Sequence, residues 1–177
     1  MSPFQRAGPA LAALALASCV TTNLAQWRDP TYRPTPVHRI LVVGNNPEWR
    51  KRVNFENAVA QALLRQGFDV ATSGAILKPD EIDDQKIDAF VKEMNVDLVM
   101  VVGPFYFVVG YQDGFPSVVV TGEATVYAAK TNPESLIWKG DFKTVNATSD
   151  QDAAASVAAM VVYDLVKAGV LVGATGA

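Results

Sequence analysis

The sequence predicts a mixed α/β fold, with a βαβαβ parallel core followed by antiparallel strands and a C-terminal packing helix. Two patterns indicate it. Up to residue 102, continuous apolar runs alternate with helical segments, as in parallel strands covered on both faces. From residue 118, apolar and polar residues alternate singly, which indicates antiparallel strands with one wet face. Ser149 then has the chemistry of a helix N-cap, and acidic residues follow it in the first turn.

The parallel core consists of three apolar strands and two helices. The strands are predicted over 39–43, 68–71 and 97–102. A helix over 46–66 connects the first two strands, and a helix over 84–94 precedes the third. Because each crossover contains a helix, the three strands are expected to run parallel in one sheet.

The first helix, with Asn46 as its expected N-cap, carries an unusual pair of charges. At about 100° per residue, Arg52 and Glu56 fall within its apolar face, four residues apart. Charges are rarely buried unless they are paired. Two interpretations follow. The pair is a latch that holds the helix to the sheet or to the preceding segment, or it lines a small polar pocket that binds an anion near the helix N-terminus.

An aromatic hairpin follows the core. Residues 104–111 form a strand-like stretch, and the strand over 118–128 returns after a turn. Leu136, Trp138 and Phe142 are expected to point inward from the next strand.

Five aromatic rings crowd this hairpin: Phe105, Tyr106, Phe107, Tyr111 and Phe115. Most are expected in the core, but the alternation of a strand leaves some of them outside. Exposed aromatic patches often mark binding sites. We therefore expect Tyr106, Tyr111 and Phe115 to form a surface for a protein partner.

Residues 1–18 have the features of an export signal. Arg6 supplies the basic segment, and the apolar run over 10–17 is shorter than the roughly 20 residues that span a bilayer. The segment ends in Leu16-Ala17-Ser18-Cys19, which resembles the bacterial lipobox. That resemblance implies cleavage before Cys19 and acylation of its thiol, including a palmitate-type chain. The alternative is an ordinary signal peptide with an unrelated cysteine. The residue after the cysteine is Val20 and not Asp, which favours placement in the outer membrane over retention at the inner one.

The segment over 19–36 is expected to be a lipidated N-terminus and tether. It contains three prolines and little periodicity, and prolines stiffen such linkers. Trp27 is expected either to dock on the domain or to lie at the lipid headgroups. A single α/β domain is predicted over 37–172, with a short tail over 173–177.

Composition excludes several classes of function. With a net charge of −3, the chain lacks the basic character typical of nucleic-acid-binding proteins. Its only cysteine is Cys19 and its only histidine is His38, and no G-x-S-x-G motif is present. The loop over 44–47 matches neither a dinucleotide fingerprint nor a P-loop. A run of acidic residues is interpreted as a solvated helix entrance: Asp80, Glu81, Asp83 and Asp84.

Several local stretches carry a resemblance to a known family. They are the lipobox, Trp27-Arg28-Asp29-Pro30, the strand at 40–44, the Arg52-x-x-Phe55-Glu56 motif and the stretch over 136–140. On these, the chain resembles small proteobacterial lipoproteins whose domain is similar to the TolB amino-terminal domain and to the core of the curli-export lipoprotein. The resemblance implies a βαβα unit, antiparallel strands and a packing helix. It supplies no catalytic residues.

The resemblance also implies envelope work through protein contacts, since relatives of this fold act as assembly factors, secretion components or activators of peptidoglycan synthases. The chain has no propeller and no clear membrane-inserting hairpins, so neither TolB's own role nor a curli-type pore is implied. We expect a non-enzymatic module without cofactor or metal, lipid-anchored on the periplasmic side of the outer membrane. Its expected partners are an envelope protein and further copies of itself. The alternative is a periplasmic sensor of a small ligand or anion.

Overall fold

The computed structural model describes residues 20–78, 83–112, 115–130 and 135–173. The strands are β1 (Thr21–Arg28), β2 (Arg39–Gly44), β3 (Asp69–Thr72), β4 (Leu98–Gln112), β5 (Phe115–Ala128) and β6 (Ser135–Ala147). The helices are α1 (Trp49–Arg65), α2 (Ser73–Ile76), α3 (Asp84–Glu93) and α4 (Asp150–Lys167). All six strands form one sheet, in the order β1-β6-β5-β4-β2-β3.

The predicted architecture is confirmed. β2 lies between β3 and β4 and runs parallel to both, with Val42 level with Thr72 and Met100. β4, β5, β6 and β1 then pair antiparallel in turn. The aromatic stretch after residue 103 is a continuation of β4 rather than a separate element. The sheet is therefore mixed, as the change from continuous to alternating apolar patterns indicates.

Helices cover the sheet unequally. α1 and α4 pack together on one face, over a core that includes Phe55, Trp138 and Leu165, all with no exposed surface. α3 covers the other face only at the parallel strands, where Val91 meets Leu41 among other apolar residues. Elsewhere this second face carries charges, such as the ion pair between Lys139 and Glu123 at 2.7 Å.

The predicted N-cap of the last helix is confirmed, and the predicted N-cap of the first helix is wrong. Ser149 caps α4 as predicted, because its Oγ accepts a hydrogen bond from the backbone N–H of Asp152. The Asn46 cap is wrong, since α1 begins at Trp49 with Glu48 as its N-cap. The Asn46 side chain instead accepts from the Glu48 N–H and donates to the carbonyl of Phe105, 3.1 Å away. It therefore fixes the loop against β4.

The predicted tether is wrong for residues 21–28. These residues form β1, which pairs antiparallel with β6 along its whole length. Thr22 is 5% exposed, and its hydroxyl lies 2.8 Å from that of Thr144 and 2.7 Å from that of Ser156. Trp27 remains half exposed. The sheet thus begins two residues after Cys19, and Cys19 and the signal segment lie outside the described residues.

Candidate functional site

The Glu56 carboxylate, with no exposed surface, joins three elements. One oxygen, Oε1, accepts from the backbone N–H of Gly44 at the end of β2 (2.7 Å) and from Nε of Arg52 (3.0 Å). The other, Oε2, accepts from the backbone N–H of Gly74 in α2 at 2.7 Å. The charge is thus compensated on both oxygens by groups from β2, α1 and α2.

Ser73 completes the cluster. Its hydroxyl donates to Oε1 of Glu56 at 2.6 Å and accepts from Nη2 of Arg52 at 2.7 Å, which uses the donor and one acceptor site of a serine. The Arg52 guanidinium also lies 5.8 Å from the centre of the Trp49 ring. Arg52 is 8% exposed and Ser73 is fully buried.

The topology explains why these groups meet. β2 and β3 are parallel neighbours, so Gly44 and Ser73 follow them at the same carboxyl edge of the sheet. The helix α1 starts at this edge and brings Arg52 and Glu56 over it, one turn apart. A Cβ at Gly44 would lie 2.6 Å from Cγ of Arg52, and one at Gly74 would lie 2.8 Å from Oε2 of Glu56. Both glycines therefore provide the space that the ion pair occupies.

These contacts favour the latch interpretation of Arg52 and Glu56 over the anion pocket. The guanidinium already has an anionic partner and a hydroxyl acceptor, and Glu56 would repel a second anion. The pair ties α1 to the sheet and to α2. Sequence reasoning found both charges but missed Ser73. The serine–glycine step after a short strand is the signal that points to Ser73.

Alternation separates Tyr106 from the buried rings of the aromatic hairpin. Tyr111, in contrast, lies on the same face of β4 as Phe105 and Phe107 and is exposed because that face is uncovered near the turn. Phe105 is 3% exposed and stacks on Phe55 with 4.1 Å between ring centres, and Phe107 lies edge-on to both. Tyr106 and Tyr111 are 66% and 81% exposed. Phe115, the third residue of the predicted partner surface, starts β5, but its side chain lies outside the described residues.

Two valines extend the exposed part of the hairpin. Val108 is 64% exposed and Val109 is 71% exposed, although strand neighbours point to opposite faces. Both faces of the hairpin are therefore uncovered at this point. We define the hairpin end as Tyr106, Val108, Val109 and Tyr111.

The acidic run and the single histidine are the remaining candidates from the sequence. Asp83 accepts from the backbone N–H of Lys86 and caps α3, in agreement with a solvated helix entrance. Asp80 and Glu81 lie outside the described residues. His38 is exposed, and its backbone N–H donates to Oδ2 of Asp97 at 2.7 Å.

Asp97 is a further, half-buried anchor that sequence reasoning missed. It also accepts from the backbone N–H of Arg39 and pairs with Lys130 at 2.5 Å. Burial alone would raise the pKa of Asp97, but the hydrogen bonds from Lys130 and the two backbone groups outweigh burial and lower the pKa below its usual value.

Among the described residues, open cavities on the surface include the following three. The first, of about 470 Å³, is lined by His38, Arg39 and Asp69 among others, at the amino edge of the parallel strands. The guanidinium of Arg39 there is paired with Asp69 at 2.5 Å and also donates to the carbonyl of Met94. The second lies between α1 and α4, and the third between β1 and α4. Arg52 and Glu56 line none of the three.

Neither a metal site nor a membrane-spanning helix is found among the described residues. No group of three or more His, Cys, Asp or Glu side chains in this part of the chain is placed to hold a metal ion. None of the helices that the structure describes is long and apolar enough to cross a membrane.

The fold is similar to that of a solved protein. PelC from Paraburkholderia phytofirmans, crystallised as a dodecamer in two crystal forms, superimposes with a TM-score of 0.56 in both. The sequences are 18% and 17% identical over 81% and 82% of this chain and 98% and 97% of the PelC chain. At this identity the likeness shows the fold alone.

A second structure is more distant. The lipoprotein GNA1162 from Neisseria meningitidis superimposes with a TM-score of 0.42 and 15% identity, over 74% of this chain and 96% of that one. No protein-family model and no curated protein matches the sequence.

Proposed function

We propose that the chain is a lipoprotein, anchored through acylated Cys19 on the periplasmic side of the outer membrane, that acts as a non-enzymatic binding or assembly module of the cell envelope. The observation that carries the proposal is the position of Cys19. It ends the sequence Leu16-Ala17-Ser18-Cys19 and stands two residues before the first strand of the sheet. A lipid on Cys19 would hold the folded sheet directly at the membrane surface.

The polar groups of the fold support a binding role rather than catalysis. Arg52, Glu56 and Ser73 satisfy one another inside the protein. Asp97 is engaged by two backbone groups and by Lys130. These side chains hold elements of the fold together. We therefore propose that the protein acts through its contact surfaces.

Self-association is part of the proposal. The two PelC structures with this fold are dodecamers, and this chain spans nearly all of the PelC chain. Copies held at one membrane by lipid are also concentrated in two dimensions, which favours assembly by raising their effective concentration. We propose that the protein forms a homo-oligomer and that the assembled form binds an envelope partner.

The anchor is tested by two measurements on protein expressed in a Gram-negative host. Mass spectrometry of the mature N-terminal peptide is expected to give Cys19 with a diacylglyceryl group and an amide-linked acyl chain. A matched variant carries Cys19→Ala behind an ordinary cleavable export signal in place of residues 1–18. It is expected in the soluble periplasmic fraction with the melting temperature of the natural protein.

Crosslinking of intact envelopes then tests the binding role. The lipidated protein is expected to yield self-crosslinked species and a specific envelope protein that the Cys19→Ala form does not recover. An unmodified Cys19, or a Cys19→Ala form that stays in the membrane fraction with its signal cleaved, contradicts the anchor. A lipidated protein that remains monomeric and uncrosslinked contradicts the assembly role while leaving the anchor intact.

A further inference from the structure

The start of β1 and the hairpin end lie at the same end of the sheet. Thr21 pairs with Val145 of β6, and two residues further along β6, Ala147 is level with Val118 of β5. Val118 in turn pairs with Val109 of β4. Because β1 runs away from this end, the residues that precede Thr21 lead back toward the hairpin end.

The distances between the two features are short. Measured along the strands, Tyr111 lies about four residues beyond the level of Val145, which is a distance of roughly 13 Å. Three strand spacings separate β1 from β4, which is about 14 Å across the sheet. Cys19 precedes Thr21 by two residues, so its Cα lies at most about 7 Å from that of Thr21. A membrane that holds the lipid of Cys19 is therefore within reach of Tyr111.

The chemistry of the hairpin end suits a bilayer interface. Its four side chains are two valines and two tyrosines, each at least 64% exposed. The sequence over 104–120 contains one charged residue, Asp113. Tyrosine is enriched at membrane interfaces, where its ring enters the apolar layer and its hydroxyl remains in the headgroup region.

We propose that the hairpin end lies in the headgroup region of the same bilayer that holds Cys19, as a second, reversible contact with lipid. This inference rests on the proposed anchoring through Cys19. It replaces the protein partner that the sequence predicts for Tyr106 and Tyr111, because the register of the sheet brings these residues to the anchored end. The contact is interfacial, because apolar side chains in such contacts enter only about 5–10 Å into the boundary between headgroups and acyl chains.

The two contacts fix the orientation of the domain. One point of attachment leaves a domain free to tilt, whereas two points about 14 Å apart across the sheet restrict that tilt. The amino edge of β2, with His38 and the cavity of about 470 Å³, then faces away from the membrane. Restricted orientation also favours lateral assembly of copies, because they meet with the same faces.

Fluorescence of site-specific probes tests this contact. Once Cys19 is acylated the chain has no other thiol, so Tyr111→Cys and Tyr106→Cys each provide one site for an environment-sensitive dye. The lipidated proteins are reconstituted in phosphatidylethanolamine and phosphatidylglycerol vesicles. Gln66→Cys, exposed after α1 at the opposite end, is the matched control. All three sites are on the surface, and equal melting temperatures confirm that the variants fold.

The expected result is a blue shift of emission at position 111 and quenching by nitroxide groups placed on shallow lipid positions. The same effects are expected to be smaller at position 106, which is farther from the hairpin turn, and to be absent at position 66. A dye at 111 that remains in water while the protein sediments with vesicles overturns the proposal and leaves the anchor standing. A blue shift that grows with protein density but escapes lipid quenching overturns it in favour of a second copy. Protein that does not sediment with vesicles overturns the anchor and this contact together.

Discussion

Glu56 accepts a hydrogen bond from the backbone N–H of Gly44, 2.7 Å away, and both groups are buried. Through this bond the middle of α1 is tied to the last residue of β2. The guanidinium of Arg52 and the hydroxyl of Ser73 share the same carboxylate oxygen. The carboxyl edge of the parallel strands, which often forms a ligand site in α/β folds, is here closed by the protein's own charges.

Loss of the Glu56 carboxylate is expected to destabilise the protein strongly. Glu56→Ala leaves Arg52 as a buried charge without a counterion, and breaking a buried ion pair in this way costs about 3–5 kcal/mol of unfolding free energy. Urea denaturation monitored by circular dichroism measures the loss. Gln61→Ala, at an exposed position on the same helix, is expected to change stability by no more than about 0.5 kcal/mol.

A double replacement at Arg52 and Glu56 separates the latch from an anion site. Replacement of both charges, Arg52→Met with Glu56→Leu, is expected to be less destabilising than the sum of the two single changes, because neither charge is left unpaired. Additive losses would show that the two charges do not stabilise each other. A phosphate-dependent rise in melting temperature that Arg52→Met abolishes would indicate that Arg52 binds an external anion.

Gly44→Ala is expected to lower stability by about 1–3 kcal/mol, through overpacking rather than backbone strain. The added Cβ would lie 2.6 Å from Cγ of Arg52 and 3.0 Å from Oε1 of Glu56, so the ion pair must shift. Thermal unfolding provides the measurement. Gly110→Ala is the control, because a Cβ at Gly110 meets no atom within 4 Å. Equal melting temperatures for the two variants would show that the cluster tolerates displacement.

Thr22→Ala is expected to cost about 1–2 kcal/mol, because it removes a buried hydroxyl and leaves those of Thr144 and Ser156 without this partner. A segment that only tethered the domain would show no such effect. Asn23→Ala, at the next position on the exposed face of β1, is the control and is expected to be near neutral. Hydrogen exchange adds a second readout, since amides of β1 that pair with β6 should exchange slowly.

The sequence predicts the strands of the core well because burial on both faces requires a continuous run of apolar residues. Leu41 and Val42 point to opposite faces, and both are fully buried. β1 has no such apolar run. Its eight residues are mostly polar, and what orders them is the edge of β6, more than a hundred residues away. Pairing of this kind depends on tertiary structure that a local pattern does not contain.

Side-chain direction in β6 shows the same limit. The expected inward set holds for Trp138 and Phe142, which are 0% and 3% exposed. Leu136, the third member of the set, is only half buried, and Ile137 is 1% exposed in its place. The register shifts between Val126 and Tyr127 on the neighbouring strand, and an irregularity of this kind interrupts strict alternation.

The two charged residues of the site could be predicted from the sequence, but the groups that hydrogen-bond to them could not. Arg52 and Glu56 are one helical turn apart, so local periodicity places both on the buried face. Ser73 is 17 residues beyond Glu56, and it reaches the carboxylate only because β3 pairs with β2. The choice between latch and pocket depends on that distant hydroxyl and on the backbone of Gly74.

Asp97 is expected to make stability depend on pH at the acidic end. Its folded-state pKa is lowered, so the unfolded chain binds a proton more readily and stability increases with pH through this range. The contribution is complete above the unfolded value of about 3.9 and is lost as pH falls through the lower folded value. Asp97→Asn is expected to cost about 1–2 kcal/mol at pH 7, because the amide loses the charge-assisted bonds, and the difference from the natural protein should shrink below pH 4. Urea unfolding at several pH values between 2 and 7 measures this, with Asp88→Asn on the exposed face of α3 as control. A deficit that stays constant over this range would show that Asp97 acts by packing and not by its charge.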